Sequence, residues 1–589
     1  MVSGAKVLLN NHISDPFLPT SHTDRVYDAF WTQTPVGMAE FSDQPLPQIP
    51  DTESYYGFFP AKYITQYLEE YVESHVYADR SLSERIRLSS RVTRLEKRAD
   101  KGLWYACISV QSPNSQDGAV RKEYTITAPK VIDATGLTSS PHIPNLLGLS
   151  TFTGELLHQK DVAQSTFLTN TAKQNIVILG GAKSAADIAY AAAKAGKNVT
   201  WVIRRSGSGP ASFALAKGSG GYRNSNESFY TRVTVLFIAS VFMGGDGGRR
   251  TWSFGAVVEW TLYRTSVGML LFSWMWKRVT ARAWREAGYT TRQTTEELED
   301  CDVHPKPRET GKGFHNLQPD TEIFWQNDSS GINQRPDFFA TIANNVAVYR
   351  EDIEHIDQHA VVLADEEGTY ISADVLVFAT GWDMRASYTH LDDETAYTLG
   401  LPVPTALQPA EDASSWAKLD AHASTEILQR FPILAHPPPH FSTPTLLTPL
   451  RLYKAMLPIS DPSIIFLGKI MLGNHFRTAE VQALWALSVL DGTLDLPTET
   501  VMERDVAETV AWCKKRYLGK GQFGNWFWFD MVPYTDALLA QMDLWSHRRE
   551  RGEGWMEWRE LVKPCFARDL SGLIGEYKRK YHKSKTTAP

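Results

Sequence analysis

The segment Asn175-Ile-Val-Ile-Leu-Gly180-Gly181-Ala182-Lys183-Ser184-Ala185-Ala186-Asp187 constrains the fold more than any other stretch of the chain. Its apolar run predicts a buried strand, and Gly180 permits the tight turn that ends it. Ala182 and Ala185 stand where the dinucleotide fingerprint G-x-G-x-x-G/A has its second Gly and its last small residue. Ala182 departs from that pattern, because a methyl replaces the hydrogen that lets backbone approach a phosphate. An Ala-rich helix, expected at Ala185–Ala195, can pack closely on a sheet. Its N-terminus offers free N–H groups and a positive dipole end to a pyrophosphate. A second strand at Asn198–Ile203 completes a βαβ unit. A βαβ unit without a ligand is the plainer alternative.

Arg204 and Arg205 follow that second strand, where NAD enzymes carry an acid for the ribose hydroxyls. A carboxylate there would repel a 2′-phosphate, whereas a guanidinium grips it with two hydrogen bonds. The pair favours NADPH over NADH, with a solvated arginine pair as the rival reading.

Composition removes other classes. The chain has 589 residues, 43% hydrophobic and 22% charged, which excludes collagen, coiled coil and long disorder. Its net charge is −7 and no basic block marks a nucleic-acid surface. Cys107, Cys301, Cys513 and Cys565 form neither a CxxC pair nor a zinc spacing, so no metal site is expected and a reduced, cytoplasmic protein fits. The N-terminus lacks the basic and apolar regions of a signal peptide. Val267–Trp276 is apolar but short, and Arg264 and Lys277 bracket it. A span needs about 20 apolar residues, so a buried or interfacial helix is expected there. Peripheral contact with a membrane stays open. The 18 tryptophans concentrate in Trp252–Trp284 and Trp512–Trp558, as either a core or a flat apolar pocket requires.

Along the chain, strands and helices alternate. A helix is expected at Tyr63–His75, with strands near Ile86–Leu88, Leu103–Val110, Glu123–Ile126 and Lys130–Ala134. Residues 231–300 read helical. Strands return at Val346–Tyr349, Ala360–Leu363, Val375–Ala379 and Ile464–Gly468, with a helix at Ala479–Leu490. Residues 400–445, rich in Pro and Ala, are expected to wrap over the surface. The pattern implies an α/β fold with more than one parallel sheet.

Two Thr-Gly turns bracket the βαβ unit: Val131-Ile-Asp-Ala-Thr135-Gly136 and Val375-Leu-Val-Phe-Ala-Thr380-Gly381-Trp382-Asp383. Between them lies Phe152-Thr-Gly154-Glu-Leu-Leu-His158, similar to an F-x-G-x-x-x-H motif. Together these segments resemble the flavin-containing monooxygenases, in which such turns connect an FAD and an NADPH domain. Val162 takes the aromatic position that usually follows, so the motif does not separate N-oxidation from Baeyer–Villiger chemistry. His158 reads more readily as a structural histidine at a domain junction than as a proton carrier. Tyr27-Asp-Ala-Phe-Trp-Thr-Gln33-Thr34-Pro35 and Glu40-Phe-Ser-Asp43 look like the family's segment beside the flavin, with Gln33 and Thr34 in the place of an Asn-containing turn and so the catalytic candidates that the resemblance implies. Glu480-Val-Gln482-Ala-Leu-Trp485 resembles the family's late helix, which from a start near Thr478 would aim its positive end at the flavin; Trp485 reads as core. The Trp-rich region and Thr321-Glu-Ile-Phe-Trp look most like filamentous-fungal members linked to secondary metabolism.

The resemblance implies two Rossmann-like dinucleotide domains, a helical aromatic insert and a helical C-terminal region. It divides the chain into 1–170 and 374–500 for FAD, 171–373 for NADPH with an insert at about 231–310, and 501–589 as tail. No strand–GxGxxG–helix precedes Gly180, and Ser3–Asn10 reads like the middle of the first helix, so the FAD domain is expected to be incomplete at its N-terminus. The implied cofactor residues are Gly180, Gly181, Ala182, Ser184, Ala185, Arg204, Arg205, Thr135, Gly136, Thr380, Gly381 and Asp383. The implied reaction oxygenates a small apolar substrate with NADPH and O2 through a flavin C4a-hydroperoxide. The rivals are a flavin reductase and an NADPH-binding pseudoenzyme that holds FAD poorly.

Overall fold

A computed structural model describes residues 7–8, 30–98, 100–110, 122–243, 254–289, 312–325, 327, 329–333, 335–440, 445–546 and 561–581. Trp252, Trp555, Trp558, Cys301, Tyr27–Ala29 and most of Ser3–Asn10 lie outside the described residues.

The run Asn175–Leu179 forms the central strand of a five-stranded parallel sheet. Asn198–Ile203 and then Val346–Arg350 lie on one side, Val375–Phe378 and then Glu155–His158 on the other. Ile176, Val177, Ile178 and Val375–Val377 are fully buried. Continuous apolar runs of this kind suit a parallel sheet covered on both faces. One face packs under the helices Lys183–Lys194 and Phe338–Asn345. The other packs under an antiparallel meander of Ile353–Asp357, Ala360–Leu363 and Tyr370–Ser372. The sheet runs past the expected limits of 171 and 373, because the strand of the Phe152–His158 motif and the Val375–Phe378 strand hydrogen-bond into it.

A second parallel pairing joins Val131–Asp133 to Ile464–Phe466. It stands beside the meander Ser90–Arg98, Leu103–Val110 and Lys122–Ala128. The Val131–Asp133 strand is not uniformly buried: Ile132 is exposed, while Asp133 is buried.

Among the described residues of the aromatic insert, Tyr263, Phe272 and Trp276 are core, while Trp260 and Trp274 are exposed. Trp276 donates to the Phe237 carbonyl at 2.7 Å and Trp512 to the Ala239 carbonyl at 2.7 Å. Both indoles thereby bury without a lost hydrogen bond. The C-terminal helices Glu499–Arg516 and Met531–Gln541 pack into the same cluster.

Two further expectations need correction. Within 400–445 a long helix, Ala410–Arg430, replaces the expected wrapping segment. Pro409 precedes it, Glu411 and Asp412 occupy its first turn and Arg430 its last, an arrangement that complements the helix dipole. The late helix runs His475–Leu490 and begins before Thr478, because the Asn474 side chain caps it by accepting from the Phe476 N–H at 3.1 Å.

Candidate functional site

Gly180 leaves the central strand with φ +135, and a Cβ there would stand 2.2 Å from the Ala379 carbonyl oxygen. A Cβ on Gly181 would stand 2.5 Å from the Gly209 carbonyl oxygen. Both glycines are therefore dictated by neighbouring backbone. Ala182, extended at φ −97 and ψ −176, precedes the Lys183–Lys194 helix, and its methyl cannot cap the first turn. The leading N–H groups, Ser184 and Ala185 among them, are left for an anion at the end of the sheet where dinucleotides bind.

Arg204 and Arg205 are exposed just beyond the neighbouring strand. Arg205 stands 3.6 Å from the Glu351 carboxylate, whose burial pushes it up against the pull of that arginine. Asp352 and Asp365 also lie close enough to Glu351 to raise it. Arg350 binds Asp320 through two hydrogen bonds of 2.9 and 2.8 Å, and Asp352 accepts from the Ser206 N–H and hydroxyl.

The segment Ser140–His142, which follows the first Thr-Gly turn, meets the second, far from it in sequence. Pro141 and Trp382 form an antiparallel bridge, the His142 N–H donates to the Gly381 carbonyl at 3.0 Å, and the Asp383 N–H donates to the Ser140 carbonyl at 3.0 Å. The Thr380 hydroxyl donates to the His142 carbonyl. His158 sits under this crossing, its Nε2 2.8 Å from the Gly381 carbonyl oxygen and its ring edge-on to Trp382. The Lys160 N–H donates to Nδ1 at 3.3 Å, so both ring nitrogens are engaged, with the proton assigned to Nε2. Burial lowers the imidazole below its ordinary value and favours the neutral ring. Nearby, a Cβ on Gly154 would stand 2.6 Å from the Asp374 carbonyl oxygen and would press on the buried Phe152 ring.

Beneath Thr135 lies a group of charges that no sequence pattern singled out. Asp133, His390 and Lys469 are almost wholly buried. His390 Nε2 stands 3.0 Å from Asp133 Oδ2 and Lys469 Nζ 3.5 Å from Oδ1. Lys469 also donates to the Thr135 hydroxyl at 2.7 Å and to the Gly136 carbonyl at 3.3 Å. Burial raises the Asp133 carboxyl, but Lys469 and His390 outweigh it and hold the group well below the ordinary carboxylate range. These bonds weld the ends of Val131–Asp133 and Ile464–Phe466 together. Gly136 and Gly468 face each other there with positive φ, and the space a Cβ on Gly136 would take is open. The only signal in the sequence was an acid inside the apolar run Lys130–Ala134.

Gln33 does not project freely. Its Oε1 accepts from the Ile332 N–H at 2.8 Å, its Nε2 donates to the Ile332 carbonyl at 3.3 Å, and Asn226 donates to its own carbonyl. Thr34, half-buried, follows it in the turn. Gln33 forms one wall of a cavity of about 150 Å³. Leu215, Phe229, Val279, Ala283 and Trp528 supply much of its apolar lining, and Lys217, Arg282 and Glu286 its charged groups. Ser42, in the segment that follows Gln33, holds Glu480 of the late helix, its N–H donating at 3.1 Å. Trp485 is core, donating to Gln541 at 2.9 Å.

Residues 110–215 match the pyridine nucleotide-disulphide oxidoreductase family model. Over 94% of its length the chain is 28% identical to the FAD-dependent monooxygenase DEP4 of Fusarium langsethiae, covering 87% of that protein. It is likewise 28% identical to the FAD-dependent monooxygenase resA of Aspergillus sclerotiorum, over 94% of this chain and 90% of that one. The chain is a relative of the FAD-dependent monooxygenases. The open crystal structure of cyclohexanone monooxygenase superposes with a TM-score of 0.50 at 15% identity, covering 89% of this chain and 91% of that one. A mutant cyclohexanone monooxygenase from Rhodococcus sp. Phi1, bound to NADP+, gives 0.51 at 15% identity over the same shares. The fold is thus that of the flavin monooxygenases with two dinucleotide-binding domains. The sequence contains no CxxC pair.

Proposed function

We propose that this chain is an FAD- and NADPH-dependent monooxygenase that oxygenates a small apolar organic substrate with O2. The observation that carries the reading is the meeting of Ser140–His142, which follows the Gly136 turn, with the Thr380–Asp383 turn. It ties the Gly180 nucleotide sheet to the strand pair that ends at Gly136 and Gly468, in a chain related to FAD-dependent monooxygenases along 94% of its length. The backbone of Gly180, Gly181, Ala182, Ser184 and Ala185 would hold the NADPH pyrophosphate, and Arg204 and Arg205 its 2′-phosphate. Thr135, Gly136, Thr380, Gly381 and Asp383 would serve FAD, with no heavy atom within 4 Å of where a Cβ on Gly136 would stand. Bound FAD supplies hydride acceptance and oxygen activation.

The protein's own residues position and shield. The Asp133–Lys469 cluster fixes the Gly136 turn, and His158 fixes the Gly381 turn. The apolar walls of the cavity beside Gln33 exclude water and receive the substrate. Filamentous fungi are the source of the two relatives, and secondary metabolite biosynthesis in the cytoplasm is the setting this reading assigns.

The test is oxygen uptake with NADPH after FAD loading. The proposal expects NADPH consumption matched by oxygenated product; uncoupled oxidation would point to a reductase and no turnover to a pseudoenzyme. Arg204→Ala with Arg205→Ala should raise the KM for NADPH about ten- to a hundredfold, since charge-assisted hydrogen bonds are lost. The KM for NADH should stay within about twofold.

A further inference from the structure

The insert's two helices, Phe254–Arg264 and Ser266–Ala287, form a hairpin whose close approach is set by Gly268, where a Cβ would stand 2.1 Å from the Thr261 carbonyl oxygen. Phe272 and Trp276 turn inward. An ordinary surface helix is polar on its other side. Here Val267, Leu270, Leu271 and Trp274 form an outward stripe at helical spacing, with Val267 78% and Leu270 70% exposed. Val257 and Trp260 extend it along the first helix, with Trp260 56% and Trp274 54% exposed.

The exposed charges that these two helices present are basic, although the half-buried Glu322 of a neighbouring segment acts on Lys277. Arg264, Lys277, Arg278 and Arg285 are exposed, and the Arg278 guanidinium lies 4.8 Å over the Trp274 ring. The acids of the two helices are occupied: Glu259 binds Arg430 at 2.6 Å, and Glu286 binds Arg282 at 2.9 Å. No helix among the described residues is long and apolar enough to cross a membrane. An exposed apolar stripe with two tryptophans and basic neighbours has the chemistry of a helix lying in a lipid headgroup layer. A second copy of the chain fits worse, because a twofold contact would set these cations against themselves.

We propose that the outward face of this hairpin docks the protein on an anionic membrane surface, with Val267, Leu270, Leu271, Trp260 and Trp274 entering the headgroup region and Arg264, Lys277 and Arg278 meeting the lipid phosphates and carboxylates. The same Ser266–Ala287 helix lines the cavity beside Gln33 through Val279, Arg282, Ala283 and Glu286. Docking therefore places the cavity wall near the bilayer, where apolar molecules collect. That consequence rests on the proposed oxygenation of an apolar substrate, whereas the docking itself does not.

Flotation of the purified full chain with lipid vesicles tests it without reference to turnover. Vesicles of phosphatidylcholine with roughly a third phosphatidylserine should bind about tenfold more protein than phosphatidylcholine alone, and about 0.5 M salt should remove the difference. Leu270→Glu with Trp274→Glu should lower binding more than about tenfold, with the melting temperature and NADPH affinity unchanged because both side chains face solvent. Arg264→Glu with Arg278→Glu should abolish the preference for phosphatidylserine. The proposal is overturned by absence of flotation with either vesicle, or by binding that survives Leu270→Glu with Trp274→Glu. It is equally overturned if sedimentation shows a dimer that this pair of substitutions dissolves while vesicles bind nothing.

Discussion

Gly180→Ala is expected to remove NADPH binding and to destabilise the protein by about 2–4 kcal/mol. Two effects add. At φ +135 an L side chain is strained, and the new methyl would stand 2.2 Å from the Ala379 carbonyl oxygen, on the strand hydrogen-bonded to the one Gly180 leaves. Relief requires the strands to part or the turn to shift, and either moves the N–H groups at the start of the Lys183–Lys194 helix. The same βαβ unit provides a control. Gly196 also has positive φ, +75, yet nothing lies within 4 Å of where its Cβ would be. Gly196→Ala should cost only about 1 kcal/mol, the strain of a left-handed alanine, and leave NADPH affinity unchanged. Denaturant unfolding and a nucleotide titration on the two variants separate local strain from loss of the cradle.

Asp133→Leu should destabilise by about 3–5 kcal/mol, because it leaves the Lys469 ammonium buried without its carboxylate. Removing both charges, Asp133→Leu with Lys469→Met, should recover a large part of that loss, a non-additivity expected only of residues in contact. The pH dependence follows from the same cluster. The native Asp133 carboxyl lies below its unfolded value, so the unfolded chain binds the proton more readily. Its stabilisation is complete above the unfolded carboxyl range near pH ~4 and drains away as pH falls through the native value. Urea midpoints between about pH 3 and 7 should therefore fall more steeply on the acid side for the parent than for Asp133→Asn. Equal slopes would show that Asp133 is not held ionised.

The parts of this fold that were legible in the sequence are those whose signal is local. Leu103–Val110, Asn198–Ile203 and Ala360–Leu363 form strands with the bounds their apolar runs suggest. The Ala410–Arg430 helix was obscured by flanking prolines, although Pro409 and the acids at Glu411 and Asp412 mark a helix start. The late helix was read a turn short, since His475–Thr478 lacks apolar periodicity and only the Asn474 cap reveals its beginning. What could not be read depends on long-range meetings. Asp133, His390 and Lys469 come together only when two strands far apart in sequence pair. Gln33 stands in the sequence where the family's flavin-side turn lies, and only the fold shows its amide pinned to Ile332. Helical spacing alone could not tell that Phe272 faces the core while Leu270 and Trp274 face out.

The central claim is that the Gly180–Arg205 unit delivers NADPH to a flavin bound at the two Thr-Gly turns. Anaerobic mixing of FAD-loaded protein with NADPH, followed at the flavin band near about 450 nm, tests it most directly. The account predicts bleaching at least about tenfold faster with NADPH than with equal NADH, a preference lost in Arg204→Ala with Arg205→Ala. A protein that retains FAD yet is not bleached by NADPH, or is bleached equally by both nucleotides, would contradict it.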